Sequence, residues 1–223
     1  MLRTLTIVLD DGHTLNWNLD FSEQGTLQMN NSMFMSNLAW VGLDFCKCPG
    51  CTLSVETNPI CPVAEVLAQY AMDLADRTSF ELVTVHIIES DGRHIILKGV
   101  PLQNVVGELV RLAVFQAGCP IGRMVKPAMT RLALFPKNKE ILQALALFFA
   151  LEPTSASQGA GVEETEVMES LHELFGCLSK RLEHVGSGDV YLNAVVIMAS
   201  LSLLFSLSTP ELLKTAIEEA RFW

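Results

Sequence analysis

No Gly-x-Gly-x-x-Gly run, no phosphate-binding loop ending in Gly-Lys-Ser/Thr, no His-Glu-x-x-His and no Gly-x-Ser-x-Gly occurs in the 223 residues. These patterns supply the backbone cradles, paired imidazoles and exposed nucleophiles of common nucleotide enzymes, metalloproteases and serine hydrolases. Common nucleotide enzymes and serine hydrolases are therefore disfavoured, while an enzyme of another kind stays open. Charge is also scarce, at 18% of residues, and positive charge scarcer still: 15 Lys+Arg face 25 Asp+Glu, for a net charge of −10. A surface of that sign repels phosphate backbones, so nucleic acid is not the expected partner. The N-terminal run from Met1 to Asp10 has too little apolar length, and turns acidic too soon, for a secretory signal. The expected compartment is the cytoplasm, where thiols stay reduced.

Apolar residues make up 50% of the chain, which excludes a disordered polypeptide and gives enough material for a real core. The charge is uneven. Residues 1–151 hold 11 Lys+Arg against 14 Asp+Glu, and residues 152–223 hold 4 against 11. A long uncharged and largely apolar stretch, Val190 to Pro210, contains Asn193, Ser200, Ser202, Ser206, Ser208 and Thr209. A membrane span needs about 20 predominantly apolar residues. The stretch therefore reads as a buried core helix of a soluble protein, with membrane association the less favoured alternative.

Alternation predicts two hairpins. Leu5, Ile7 and Leu9 share one face, Asp11-Gly12 turns the chain, and Leu15, Trp17 and Leu19 return. Val83, Val85 and Ile87 repeat the pattern before Asp91-Gly92, and His94 to Leu97 runs back. Asp-Gly between alternating runs is a hairpin signal because glycine tolerates the positive φ of a tight turn. Helical spacing follows each hairpin, over Pro62 to Arg77 and over Pro101 to Ala117, each with proline at or near its first position. The expected fold class is α+β: a duplicated ββα unit forming a four-stranded antiparallel sheet covered by helices, followed by a small helical segment.

A third helix is expected over Lys139 to Leu151. Residues 152–161 have linker composition, dividing a domain of residues 1–151 from a helical segment of residues 162–223. Within that segment three helices are expected: Glu163 to Val185, Asp189 to Leu207 with Asp189 as N-cap, and Pro210 to Phe222.

The cysteines carry the chemistry. Cys48-Pro49-Gly50-Cys51 is a Cys-x-x-Cys knuckle, which turns two thiols toward one point. Cys61 stands at the start of the first helix and Cys119 just beyond the end of the second. If a pseudo-twofold axis relates the two ββα units, the helices run antiparallel and Cys61 meets Cys119, with the knuckle closing the set. Cys48, Cys51, Cys61 and Cys119 thus form the expected metal site. Zinc is the first reading, because closed tetrahedral sites of four cysteines are its usual structural form. An iron–sulfur cluster is the alternative, since Cys-Pro recurs at residues 48, 61 and 119. A dithiol redox centre and inert buried thiols are the remaining readings. Cys46 could replace Cys48 as a ligand, and Cys177 reads as core of an amphipathic helix.

The run Cys48-Pro-Gly-Cys51-Thr-Leu, then Cys61-Pro-Val-Ala, Ala-Gly-Cys119-Pro and Lys126-Pro-Ala-Met-Thr-Arg131 resembles a bacterial family of unknown function. That family reads Cys-x-x-Cys-Pro-Leu, Cys-Pro-Ala-Ala, Ser-Gly-Cys-Pro and Arg-Pro-Met-Ala-Arg-Phe. Leu178 to Leu182, Asp189 and Leu192-Asn193-Ala194 are similar to its C-terminal pieces. The sequence departs from the family at Thr52, where proline is usual, and in a more apolar final helix pair. The resemblance implies a shared four-cysteine site and no known activity.

Arg123, Lys126 and Arg131 lie in a stretch without acids and could form an anion or partner patch, though a solvated loop is the plainer reading. Glu169, His172 and Glu173 share helical spacing, yet the second such pair that bundle metal sites require is missing. Met29, Met33 and Met35 read as packing material, and Asn193 as a core polar residue with a hydrogen-bond partner. The expected role is that of a metal-binding accessory or interaction protein, acting with a protein partner or as a homo-oligomer. The alternative is an electron-transfer or redox protein.

Overall fold

A computed structural model describes residues 2–28, 38–151 and 164–220 of the chain. Strands β1 (Leu2–Val8) and β2 (Thr14–Phe21) pair antiparallel with Leu5 opposite Trp17 and Ile7 opposite Leu15. After Phe21 the chain turns tightly, with the N–H of Ser22 on the carbonyl of Thr26 at 2.8 Å, and lays down β3 (Leu27–Gln28) beside β2. Strands β4 (Leu82–Ile88) and β5 (His94–Pro101) form the second hairpin. The two hairpin turns are built alike. Asp11 Oδ1 accepts the backbone N–H of His13 at 2.9 Å, Asp91 Oδ1 accepts that of Arg93 at 3.0 Å, and Gly12 and Gly92 take φ of 82° and 86°. Only glycine holds that backbone conformation without strain. The hairpins join through β1 and β4, antiparallel, with Ile7 opposite Val85.

The sheet therefore has five strands in the order β3-β2-β1-β4-β5, not the four expected. The two residues of β3 are too few to show alternation, which is why the sequence pattern misses this strand. Along β1, β2 and β4 every second side chain (Leu5, Ile7, Trp17, Leu19, Phe21, Val83, Val85, Ile87) is buried under helices. On the opposite, open face Thr4 and Thr6 donate to the Asn18 and Asn16 side chains.

Helix α1 spans Pro62–Ala71 and α2 spans Leu102–Gln116. The expected duplication holds only in outline. Helix α2 starts directly off β5, whereas residues 22–61 separate β2 from α1 and contain β3 and the cysteine knuckle. Beyond α2, the stretch expected to be a loop contains a turn of tight helix and the short α3 (Lys126–Met129), then α4 (Asn138–Leu151). A buried ion pair ties this region to α2: Arg111 Nη2 donates to Glu108 at 2.6 Å, and Arg111 Nη1 donates to the Met129 carbonyl at 3.1 Å.

Helices α5 (Glu164–Leu182) and α6 (Val190–Ala220) complete the chain. The two helices expected on either side of Thr209-Pro210 are one. Proline within a helix removes a single backbone donor, a cost of about 3 kcal/mol or more. The leucine-rich flanks favour helix enough to carry the chain through. Val190, Tyr191, Ala194, Val195, Met198, Leu201 and Phe205 of α6 are buried, and α5 and α6 share one hydrophobic cluster with the sheet and α2. Among the described residues no helix is long and apolar enough to cross a membrane. The expected linker, residues 152–161, and Met29, Met33 and Met35 lie outside the described residues.

Candidate functional site

Arg181, in the last turn of α5, organises the loop that carries the knuckle. Its side chain is 2% exposed, and its guanidinium donates to four backbone carbonyls, those of Trp40, Gly42, Leu43 and Cys46. Its Cζ also lies over the Phe45 ring, 5.9 Å from the ring centre. The five-donor fork of arginine suits such a fan of acceptors better than an ammonium does. The two ends of the loop are laced together by the N–H of Leu43 on the Pro59 carbonyl (2.8 Å) and that of Cys61 on the Val41 carbonyl (3.0 Å). This brings Cys61, the residue that precedes α1, beside the knuckle.

Within the knuckle the N–H of Cys51 donates to the Cys48 carbonyl at 3.0 Å, closing a tight turn. On the other side, Gly118 ends α2 with φ of 86° and delivers Cys119. The backbone N–H groups of Ile121 and Gly122 point at the Cys119 sulfur. That approach needs glycine at 122, because a Cβ there would stand 1.9 Å from the carbonyl oxygen of Val114.

These elements line a small, partly open cavity of about 20 Å³. All six cysteines of the chain line it. Its walls are otherwise apolar, with Leu43, Leu53, Ile121, Leu174 and Leu178, and Arg181 and Lys47 are among the lining residues. Cys48, Cys51, Cys61 and Cys119, drawn from the knuckle, the start of α1 and the end of α2, therefore share one space. Cys46 and Cys177 join them. Cys46 and Cys48 both lie near enough to the Cys177 thiol to act on its ionisation. All six thiols are free; Cys119 is buried and the others are half-buried. Among the described residues no group of three or more His, Cys, Asp or Glu side chains stands ready to hold a metal ion.

Burial raises the pKa of three of the thiols, Cys48, Cys119 and Cys177. Burial pushes the Cys48 thiol far above its ordinary range, and the neighbouring Cys177, Cys61 and Cys119 add to the effect. Burial raises Cys119 to about 11 against the opposing pull of the Gly122 and Ile121 N–H groups. Cys177 is raised by burial first and by Cys46 next, while Cys48 and Lys180 pull it down. Clustered thiols in an apolar wall resist ionisation because each thiolate would face the others without water. A bound dication reverses that balance, since a coordinating thiol loses its proton outright.

Cys177 and Arg181 are the residues that sequence reasoning misses at this site. Leu174, Cys177, Leu178 and Arg181 fall at spacings of three and four on one face of α5. That is the pattern of core packing, and nothing local distinguishes a core thiol from a site thiol. Elsewhere, Arg123 and Arg131 are exposed and Lys126 donates to the Thr26 hydroxyl at 2.7 Å; none of the three lines the thiol cavity. Glu169, His172 and Glu173 sit on the exposed face of α5. Asp189 precedes α6 as expected, but its carboxylate accepts the backbone N–H (2.7 Å) and hydroxyl (3.0 Å) of Ser79. Asn193 donates to the same carboxylate at 2.8 Å.

No curated protein and no solved structure matches the chain. One family does, over residues 4–221. That is nearly the whole chain, in keeping with the expected likeness to an uncharacterised family. The protein belongs to DUF6901, a family defined as a domain of unknown function.

Proposed function

We propose that this protein is a metal-binding accessory or interaction protein in which Cys48, Cys51, Cys61 and Cys119 hold a thiophilic ion, zinc in the first instance. The observation that carries the reading is the convergence of thiols from three separate elements on one small cavity. An ion there pins the knuckle loop to the start of α1 and the end of α2, joining the two halves of the sheet domain. Four thiolates around a dication leave two excess negative charges, and Arg181 and Lys47 are the cationic residues among those that line the cavity. Rotation of the side chains about χ1 is needed to bring the sulfurs to ligand distance, and the apolar wall excludes competing water.

The alternative, electron transfer through an iron–sulfur cluster or direct thiol chemistry, draws less support. The raised pKa of Cys48, Cys119 and Cys177 disfavours direct chemistry at those three thiols, because the thiolate is the nucleophile. A protein partner or a second copy would meet the exposed apolar side chains of α6 (Val196, Leu203, Leu204) or of β5 (Ile95, Ile96). A cytoplasmic setting would keep the thiols reduced.

The test is elemental analysis of protein purified without oxygen, for wild type and Cys61→Ser. The expected result is zinc in the wild type, with its amount and the thermal midpoint both reduced in the variant. Unchanged metal content and midpoint would refute the site.

A further inference from the structure

We propose that the open groove between β5, α2, α4 and α6 is the docking site for an acidic amphipathic helix of a partner protein. The groove gives the interaction role read above a surface of its own, and it does not depend on whether the thiols hold a metal. Its volume is about 860 Å³. Leu97 and Val100 of β5, Ile141 of α4, and Ile197, Met198 and Leu201 of α6 supply an apolar lining. Strand β5 is the edge of the sheet, so among the described residues no further strand covers this side.

Charge selects the occupant. Lys98, Lys137 and Lys139 line the groove and are exposed. The acids nearby are already engaged. Glu108 is the only acid among the described lining residues, and the buried pair with Arg111 takes it up. Glu140, in the first turn of α4, accepts the backbone N–H of Lys137 at 2.6 Å. Neither Lys98 nor Lys137 belongs to an ion pair among the described residues. On a chain of net charge −10, this groove is a local basic surface, and it complements acidic ligands. The lysines come from two separate elements, β5 and the start of α4, and carry more positive charge than one carboxylate neutralises. That favours a segment with several acids over a fatty acid. Most of the lining comes from α2, from α4 with the turn before it, and from α6, and a groove between helices takes a helix by its apolar stripe.

Two details of the lining fit an occupant better than they fit the free fold. Gly107 stands in the middle of α2, although only proline is a poorer helix former. A Cβ there would meet nothing within 4 Å, so internal packing does not demand glycine, and the bare position leaves the backbone of α2 open to the groove. Phe135, in the turn before α4, is the one non-glycine residue with positive φ (57°) among the described residues, and it lines the same groove. That backbone conformation is strained for a bulky side chain, and strain of this kind gathers at binding sites.

The experiment is fluorescence anisotropy with the full-length, reduced protein. The probe is a fluorescein-labelled synthetic helix with leucines at i, i+3, i+4 and i+7 and glutamates on both flanks, and its twin carries lysines in place of the glutamates. The glutamate helix is expected to bind and to weaken as salt rises, and the lysine helix is expected not to bind. The double change Lys98→Glu with Lys137→Glu, at two exposed positions, should lower the affinity at least about tenfold. Gly107→Phe fills the groove with a ring and should do the same without lowering the thermal midpoint, since its Cβ meets open space. Metal content should not change in either variant, so failure at the groove leaves the thiol reading standing, and the reverse. No binding of the glutamate helix, or binding that neither variant alters, overturns the proposal. Two other results overturn it as well. Oleate bound in place of the helix makes the groove a fatty-acid site, and a wild-type dimer that dissociates in Gly107→Phe by analytical ultracentrifugation makes it an interface between copies.

Discussion

Replacing Arg181 with methionine removes the donor that four loop carbonyls share while keeping much of the side chain's apolar stem. The bonds to Trp40 and Leu43 are buried, and those to Gly42 and Cys46 are partly buried, so water can replace only the latter pair well. An orphaned buried acceptor costs about 1–3 kcal/mol. Two such acceptors, with a smaller contribution from the other two, put the loss at about 3–5 kcal/mol. The cation–π contact with Phe45 contributes less, about 0.5–1 kcal/mol. With a urea slope of about 2–3 kcal/mol per molar for a chain of this size, the unfolding midpoint should fall by about 1–2 M. The assay is equilibrium urea unfolding of metal-free, reduced protein, which separates the clamp from any ion. Arg181→Lys should fall between the two, because a compact ammonium has three donors and a shorter reach. In both variants Cys46 and Cys48 should be alkylated faster than in wild type, since the loop that holds them is released. A midpoint shift below about 0.3 M with unaltered thiol reactivity would mean that the carbonyls are hydrated and that Arg181 does not hold the loop.

Three other perturbations probe the same frame. Gly122→Ala places a methyl 1.9 Å from the Val114 carbonyl oxygen. The backbone must move, and a loss of at least about 2 kcal/mol by urea unfolding is expected, together with altered Cys119 reactivity as its two N–H donors shift. Glu108→Gln leaves the Arg111 cation buried without its counter-charge and should cost about 3–5 kcal/mol. The double change Glu108→Gln with Arg111→Met should recover part of that loss, and failure to recover would show that the pair is not energetically linked. Asp189 has its pKa lowered, first by the Ser79 backbone N–H and next by the Ser79 hydroxyl. Its contribution to stability is therefore present above the unfolded aspartate pKa and is lost as pH falls through the lower folded value. Thermal midpoints measured down the acid limb should show a smaller pH dependence in Asp189→Asn than in wild type, and parallel curves would contradict the assignment.

The legible parts of the fold are those that repeat. Leu5-x-Ile7-x-Leu9 and Val83-x-Val85-x-Ile87 alternate over enough residues to identify strands, and Asp-Gly marks each turn chemically. Strand β3 is hidden because Leu27-Gln28 is shorter than one period of any helical pattern and spans a single step of alternation. Pro210 misleads for the opposite reason. It is a strong local stop signal, and the helix-favouring residues around it outweigh the loss of one hydrogen bond. The knuckle and the Cys-Pro steps are visible because ligand geometry demands short spacings in sequence. Cys177 and Arg181 are invisible because their role depends on which face of α5 meets which loop, and that is decided by packing across more than a hundred residues of separation.

That separation bears on how the chain is divided. A boundary near residues 152–161 would leave Cys46, Cys48, Cys51, Cys61 and Cys119 on one side, with Cys177, Arg181 and the apolar wall of Leu174 and Leu178 on the other. Without α5 the cavity loses one side, the loop loses the donor of four hydrogen bonds, and the knuckle thiols face water. A half-exposed thiol set of that kind has ordinary acidity and would oxidise or bind metal loosely. The α5 face therefore does for the thiols what the sheet cannot. It covers part of the thiol cavity, holds the carrier loop by its backbone, and brings in a cation without a carboxylate partner among the described ion pairs. Helix α6 packs against α2, α4 and α5, so the position of α5 is set by the same cluster that covers the sheet. Loss of that packing should thus be felt at the cavity before it is felt at the hairpins, whose registers are fixed by their own backbone pairing.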